Sequence, residues 1–450
     1  MRMEEYLSTV TEQIRCQRAR ELVECELKDH ILDQAQAYEA EGMFGEEAME
    51  KAVREMGDPI ETGVSLDRIH RPRMEKGMLG LIGIISILSI LLHAAFGAYS
   101  PELAAAGAGY LKNHIMYTIY GYILMLIVYR LDYSILYRWA KPAAAGFLAL
   151  IWIGIKVFGI SYNGMVSHFR FGPFFLSVPM ILYLYVPLYA GVLYQYRGEG
   201  YRALWKIAFW SVIPSFTAFK IPSVSVTTIL SAVFAVLFSI AVWQNWYQVD
   251  RKKVLSALWG GMLAFPVLLL GLLYMTGNLE SYQTARLYAF FTKDANMNYQ
   301  ANVAADFLSR SPLLGRNETV IAELAQLPGF NSDYVFVSLV SVYGILAGVL
   351  VIALFAFLLI KIFRISFRQK NRLGMILGCA CGTVFFAQLL LCLLVNLGLF
   401  PTTSTTLPFF SCGGSGIVVS YMLLGLVLSI YRYKNILPEK PGTKAAEPVS

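Results

Sequence analysis

Charged and hydroxylic side chains are scarce in this chain, so chemistry is to be sought where they gather beside apolar runs. The longest polar stretch between two such runs, residues 276–333, carries Arg286, Lys293, Asp294, Arg310 and Asp333. Carboxylates of that kind can accept a proton, and arginine or lysine can hold an anion. An ordered connection rarely exceeds about 15 residues without a functional purpose, so this segment is the first candidate for a site. A second patch runs from Pro401 to Ser415 and contains Thr405, Thr406, Ser411, Gly413, Gly414 and Ser415. Hydroxyls and bare backbone amides at the edge of an apolar run imply a polar cavity, because lipid would leave them unsatisfied. Each of these residues also has a structural role to weigh. Asp333 could cap a helix, contributing less than about 1 kcal/mol. Asp294, Arg286 and Lys293 could line a solvated loop, and Gly413 and Gly414 could serve close backbone approach.

The elements that must carry these residues follow from composition. Of 450 residues 57% are hydrophobic and only 15% charged, which excludes an ordinary water-soluble enzyme and any disordered chain. Apolar runs near 78–98, 114–129, 143–160, 174–196, 203–219, 225–246, 254–275, 334–360, 374–399 and 410–431 each approach the roughly 20 residues that span a bilayer as a helix. The prediction is an all-α polytopic bundle of about ten transmembrane helices, with no strands expected. The alternate connections hold Arg130, Arg138, Lys141, Arg197, Arg202, Lys206, Arg251, Lys252, Lys253, Lys361, Arg364, Arg368, Lys370 and Arg372, whereas the short opposite ones hold only Lys112, Arg170 and Lys220. The bias places both termini in the cytoplasm and residues 276–333 outside.

Ahead of the first run, residues 1–76 form an acidic domain with 18 acidic and 11 basic side chains. Apolar spacing predicts three short helices there, the inner stripe of the third including Phe44, Ala48, Ala52 and Val53, and Gly57-Asp58-Pro59 supplies a stop. The first apolar run begins only near Gly77, unlike a cleavable signal peptide. Expected domains are thus 1–76, a membrane domain 77–437 and a cytoplasmic tail 438–450. Six cysteines show no C-x-x-C pair, and no histidine pair stands at metal spacing, so neither a disulfide framework nor a zinc site is expected. There is no Walker motif and no surface suited to nucleic acid.

Several motifs together resemble a known family. The run L-P-F-F-S-C-G-G-S-G at 407–416, before the last span, resembles the L-P-F-x-S-Y-G-G-S-S signature of the SEDS proteins (FtsW, RodA and SpoVE). N-S-D-Y-V-F-V at 331–337, followed by Tyr343-Gly344 and Gly348, is similar to that family's H-T-D-F-I-F-A and E-L-G-x-x-G. R-L-Y-A-F-F at 286–291 and D-A-N-M-N-Y-Q at 294–300 resemble the start of its large outer loop. The chain departs from the pattern at 168–179, at 220–227 and at 305–312. Residues 1–70, with D-H-I-L-D-Q at 29–34, resemble permease-prefix (HAAS-type) domains.

The SEDS resemblance implies a peptidoglycan glycosyltransferase of the bacterial cytoplasmic membrane, serving cell shape, division or sporulation. It would polymerise lipid II on the outer face beside a class B penicillin-binding protein. It places the family's catalytic Asp on Asp333 and its loop Arg and Asp on Arg286 and Asp294, while the need to neutralise a departing pyrophosphate adds Lys293 and Arg310 as substrate-binding candidates and the polar patch adds Thr405, Thr406, Ser411 and Ser415 as cavity lining. No protein metal ligand is implied, although a divalent cation (Mg or Mn) can assist a departing pyrophosphate. The alternative is a non-catalytic lipid-II-binding scaffold or signalling protein, controlled by a cytoplasmic regulator through the acidic domain.

Overall fold

The computed structural model describes every residue except 73, 100, 163–164, 172–173, 222, 276–297 and 435–450. Two units emerge, with main segments Met1–Glu75 and Lys76–Ile430.

The first unit has four helices rather than three: α1 (Met3–Glu12), α2 (Gln17–Ala40), α3 (Gly45–Glu55) and α4 (Pro59–His70). Gly57, at φ +82°, ends α3 as a left-handed residue should. Asp58 then caps a new helix, accepting the Glu61 N–H at 2.9 Å, and Pro59 takes the first helical position. The sequence stop is therefore also a start. Tyr6, Val10, Ile14, Ile31, Ala48 and Ala52 are buried between these helices, and the Tyr6 hydroxyl donates to the Met56 carbonyl at 3.0 Å. Phe44, expected inside, is instead 82% exposed, because it precedes α3 rather than belonging to its inner stripe.

The second unit opens with α5 (Lys76–Tyr99), α6 (Pro101–Arg130) and α7 (Leu136–Phe158). A small sheet of β1 (Gly159–Tyr162), β2 (Met165–Phe171) and β3 (Phe174–Ser177) follows. Next come the short α8 (Val178–Ile181), then α9 (Tyr185–Gln195), α10 (Tyr201–Lys220), α11 (Val224–Trp243) and α12 (Arg251–Met275). Beyond residue 297 stand α13 (Tyr299–Arg310), α14 (Glu318–Glu323), α15 (Val335–Tyr343), α16 (Ile345–Phe367), α17 (Arg372–Asn396) and α18 (Gly414–Arg432). Among the described residues, eight stretches are long and apolar enough to cross a membrane, Val178–Gln195 joining α8 to α9. Helices α10 and α12 fill the other two segments expected to span.

Apolar side chains such as Leu150, Phe209, Val349 and Leu350 point outward, as lipid-facing positions require. Of the eight membrane-length stretches the most enclosed is α17, packed by α9, α11 and α16. Small residues bring α6 and α18 together. A methyl at Gly121 would collide with the Tyr421 ring, and one at Gly425 would fall 2.6 Å from the Met125 carbonyl. Such contacts are how membrane helices gain van der Waals energy where no hydrophobic drive exists.

Two expectations are corrected. Strands do occur: β1–β2–β3 is antiparallel, pairing Ile160 with His168 and His168 with Ser177. Residues 159–177 are rich in β-branched and aromatic side chains punctuated by Asn163-Gly164 and Gly172-Pro173, a hairpin pattern that the search for long apolar runs passes over. The expected span 334–360 is also broken. Gly344, at φ +91° and ψ 169°, separates α15 from α16. The freed N–H groups of Ile345 and Leu346 donate to the carbonyls of Pro312 and Leu313 at 3.0 and 3.1 Å. A side chain at Gly344 would meet the Leu313 carbonyl at 3.0 Å, so both conformation and space call for glycine.

Candidate active site

Asp333 lies in the turn that leads into α15. Gly329, at φ +79°, makes that turn, its carbonyl accepting the N–H groups of Ser332 and Tyr334 at 3.0 and 2.9 Å. The Asp333 carbonyl is held twice, by Asn396 Nδ2 at 2.9 Å from the end of α17 and by Thr405 Oγ1 at 3.2 Å. Asn396 Oδ1 accepts the Val337 N–H at 3.3 Å, satisfying one of the donors that the first turn of α15 leaves open. The backbone of Asp333 is thus pinned from two sides.

Its carboxylate is treated differently. The N-cap position of α15 is Tyr334, and the bonds to the carboxylate come from the signature loop: Ser404 Oγ at 3.4 Å and the Thr405 backbone. Asp333 is therefore not a helix cap. Burial pushes its carboxyl up to about 6, more than the Thr405 backbone and the Ser404 hydroxyl lower it. A group poised there is basic at neutral pH yet can be protonated without great cost.

The loop from Pro401 to Gly413 closes over this turn. Ser411 Oγ donates to the Ser332 carbonyl at 2.7 Å and accepts the Leu407 N–H at 2.8 Å, while the Cys412 N–H donates to the Asn331 carbonyl at 2.8 Å. Ser415, at the start of α18, accepts the Ser177 N–H at 2.9 Å and so joins the sheet to the same region. Thr406 Oγ1 stands 3.9 Å from Met180 Sδ. Phe409 adopts φ +67°, uncommon for a side chain of that size. Its ring packs against Phe355, Phe385 and Tyr421. Of the paired glycines, Gly414 is forced by the Tyr117 ring, which fills the space a methyl there would need, whereas Gly413 has open space around it.

Asp333, Thr405 and Ser411 are thereby brought together, with Ser415 and Thr406 on the flank toward the sheet. Arg310 is instead engaged by Asp306 at 2.5 Å and Glu323 at 2.8 Å, a local ion network between α13 and α14. Arg286, Lys293 and Asp294 lie outside the described residues. One residue that sequence reasoning missed is Asn396, 1% exposed; an amide within an apolar run, where Gln388 is another, was its one signal. His93 and His114 were missed for the same reason: each is buried in a span, and a donor atom of each lies within 4.8 Å of the other and of Cys412 Sγ, a grouping no spacing rule reveals.

The FtsW/RodA/SpoVE family, described as cell cycle proteins, matches residues 74–436. The chain belongs to this family. The FtsW/RodA/SpoVE match covers the whole membrane unit and begins where the acidic helices end. A probable peptidoglycan glycosyltransferase FtsW of Borreliella burgdorferi is 30% identical over 156 residues, 34% of this chain and 43% of the relative. The FtsW of the same description from Trichlorobacter lovleyi is 22% identical over 356 residues, 74% of this chain and 86% of the relative. Among solved structures, a chain from a peptidoglycan synthase complex that coordinates polymerization and crosslinking superposes with a TM-score of 0.65 at 19% identity, covering 80% of this chain and 98% of that one. The rod shape determining protein RodA of Thermus thermophilus gives 0.57 at 18% identity, with 80% and 97% covered. Its RodA-like fold is thus shared across the membrane unit.

Proposed function

We propose that this protein is a membrane glycosyltransferase that polymerises lipid II into glycan strands, with Asp333 as general base. Membership of the family, and relatives described as peptidoglycan glycosyltransferases, support the reaction class. The observation that carries the residue assignment is the Asp333 carboxylate itself, fixed by its backbone, not used as a cap, and raised by burial to about 6.

In the step proposed, an acceptor sugar hydroxyl attacks the anomeric carbon that bears a polyprenyl pyrophosphate. The new C–O bond forms as the bond to phosphate breaks, the hydroxyl proton passes to Asp333, and the pyrophosphate leaves with the electron pair. Base help of this kind is worth about a hundredfold to ten-thousandfold. The leaving group needs cationic neutralisation, for which Arg286 and Lys293 remain the candidates. Arg310 is a weaker one, its guanidinium already shared by two carboxylates. Ser404, Thr405 and Ser411 would set the position of the base and of the loop that faces it.

A class B penicillin-binding protein as crosslinking partner is the companion proposal, supported by the synthase complex among the structural neighbours. The acidic helical unit is proposed to be regulatory, since its helices carry packing residues and no catalytic grouping. Incubating the purified full-length protein with lipid II, alone and with candidate partners, and resolving the glycan products tests the assignment. Strands formed by the unaltered chain and lost in Asp333→Asn are expected; equal activity in the two would remove Asp333 as the base.

A further inference from the structure

Beside the signature loop, and unused by the reaction above, sits a buried polar cluster between α5 and α6. His93 and His114 are each 2% exposed, and their rings stack at 4.2 Å with 12° between the planes. Proton bookkeeping fixes both tautomers. The Ser89 hydroxyl has one proton and stands 2.9 Å from the Phe409 carbonyl, which can only accept, so the proton goes there. The same hydroxyl is 2.8 Å from His114 Nε2 and must therefore accept from it. His114 thus carries its proton on Nε2 and keeps a lone pair on Nδ1, which has no hydrogen-bond partner. His93 Nδ1 lies 2.9 Å from the Ser89 carbonyl and must donate to it, leaving the lone pair on Nε2. No donor reaches that atom; the Asn331 carbonyl beside His93 is itself an acceptor and already receives the Cys412 N–H.

Two buried lone pairs facing no donor are costly, and folding rarely leaves such groups without a reason. A cation supplies the reason, and a third ligand is at hand. One donor atom each from His93, His114 and Cys412 lies within 4.8 Å of the other two. Ligand atoms around a tetrahedral zinc ion are about 3–4 Å apart and imidazole lone pairs lie in the ring plane, so closure requires roughly 1 Å of side-chain movement together with a turn of one ring out of the parallel stack. Two imidazoles and a thiolate suit a borderline-soft ion, whereas Mg and Mn prefer oxygen ligands that this group lacks. The supporting shell is also in place. Metal-bound histidines commonly donate their other N–H to a carbonyl or similar acceptor, and here both do so, to the two oxygen atoms of Ser89.

We propose that His93, His114 and Cys412 bind a single zinc ion, which fastens the signature loop to α5 and α6. The three ligands leave one coordination position open. Through the Cys412 N–H to Asn331 the ion is coupled to the turn that carries Asp333, two positions further on. This site does not depend on the glycosyltransferase reading.

The test uses the full-length protein in detergent, stripped with a chelator and titrated with Co2+ and then with Zn2+ in competition. One equivalent of Co2+ should bind with a thiolate-to-metal charge-transfer band that Cys412→Ser abolishes and Cys25→Ser leaves intact. Ser89→Ala should weaken binding about tenfold to a hundredfold, the usual effect of removing an outer partner. Zn2+ should raise the melting temperature of the unaltered protein and not that of Cys412→Ser. A measurement without variants guards against misfolding: Zn2+ should protect Cys412 of the native chain from maleimide, read by peptide mass spectrometry. Unprotected Cys412, absence of stoichiometric binding, or a charge-transfer band that survives Cys412→Ser would each overturn the site.

Discussion

Asp333 concentrates the expectations that belong to single residues. Because the group works as a base only when ionised, the acidic limb of the rate profile should have its midpoint near pH 6, following the raised carboxyl. Asp333→Asn should lower turnover about a hundredfold to ten-thousandfold at neutral pH; Asp294→Asn, measured in the same polymerisation assay, distinguishes the two acids. Stability moves the other way. A carboxyl whose folded value lies above its unfolded one stabilises most below the unfolded value, near pH 4, and that contribution is lost as pH rises through about 6. At pH 7 the ionised Asp333 is thus a burden, and Asp333→Asn should unfold at a higher temperature than the unaltered protein, by the equivalent of up to roughly 2–3 kcal/mol. Loss of activity with gain of stability is a pattern that simple structural damage does not produce. Asp333 was legible because neighbouring motifs marked it. Asn396, which holds its backbone, was not, because an amide in an apolar helix has no motif around it and nothing in the sequence separates it from Gln388 in the same helix.

Elements whose apolar period is long and unbroken were read well: α5, α11 and α17 begin and end within a few residues of expectation, whereas the run 174–196 opens in β3 and reaches α9 only at Tyr185. What failed depends on contacts the period does not encode. The break at Gly344 is stabilised by carbonyls of Pro312 and Leu313, thirty positions earlier in the chain, and β1–β3 rest on cross-strand pairing between short segments. The signature glycines allow a test at this scale. Gly414→Ala drives a methyl into the Tyr117 ring where α18 starts against α6, and overpacking of that sort costs typically 1–3 kcal/mol. Gly413→Ala meets nothing and should melt with the unaltered protein. In the acidic unit, Gly63→Ala should be damaging too, because its methyl would fall 2.7 Å from the Val10 carbonyl where α4 crosses α1. Thermal melts of the three variants check the order.

For the whole molecule, we propose from the distribution of basic residues an orientation with both termini inside and residues 276–333 outside. In a background lacking the six native cysteines, an impermeant maleimide should label Lys293→Cys in intact cells and leave Arg368→Cys untouched; the reverse would invert the map. Deleting residues 1–70 should leave insertion intact while altering control, since the family match starts only at residue 74. The bond between Ser89 and Phe409 has a further consequence, in time rather than space. The two residues stand 320 positions apart. A ribosome adding about 5–20 residues per second needs roughly 15–65 s to travel between them. For most of that interval, from the completion of α6 at Arg130 onward, α5 and α6 already exist while the carbonyl that orients Ser89, and the thiol that faces the two histidines, have yet to be made. The nascent chain therefore carries an unfinished polar pair in its first helical hairpin, and arrival of the signature loop is the event that completes it.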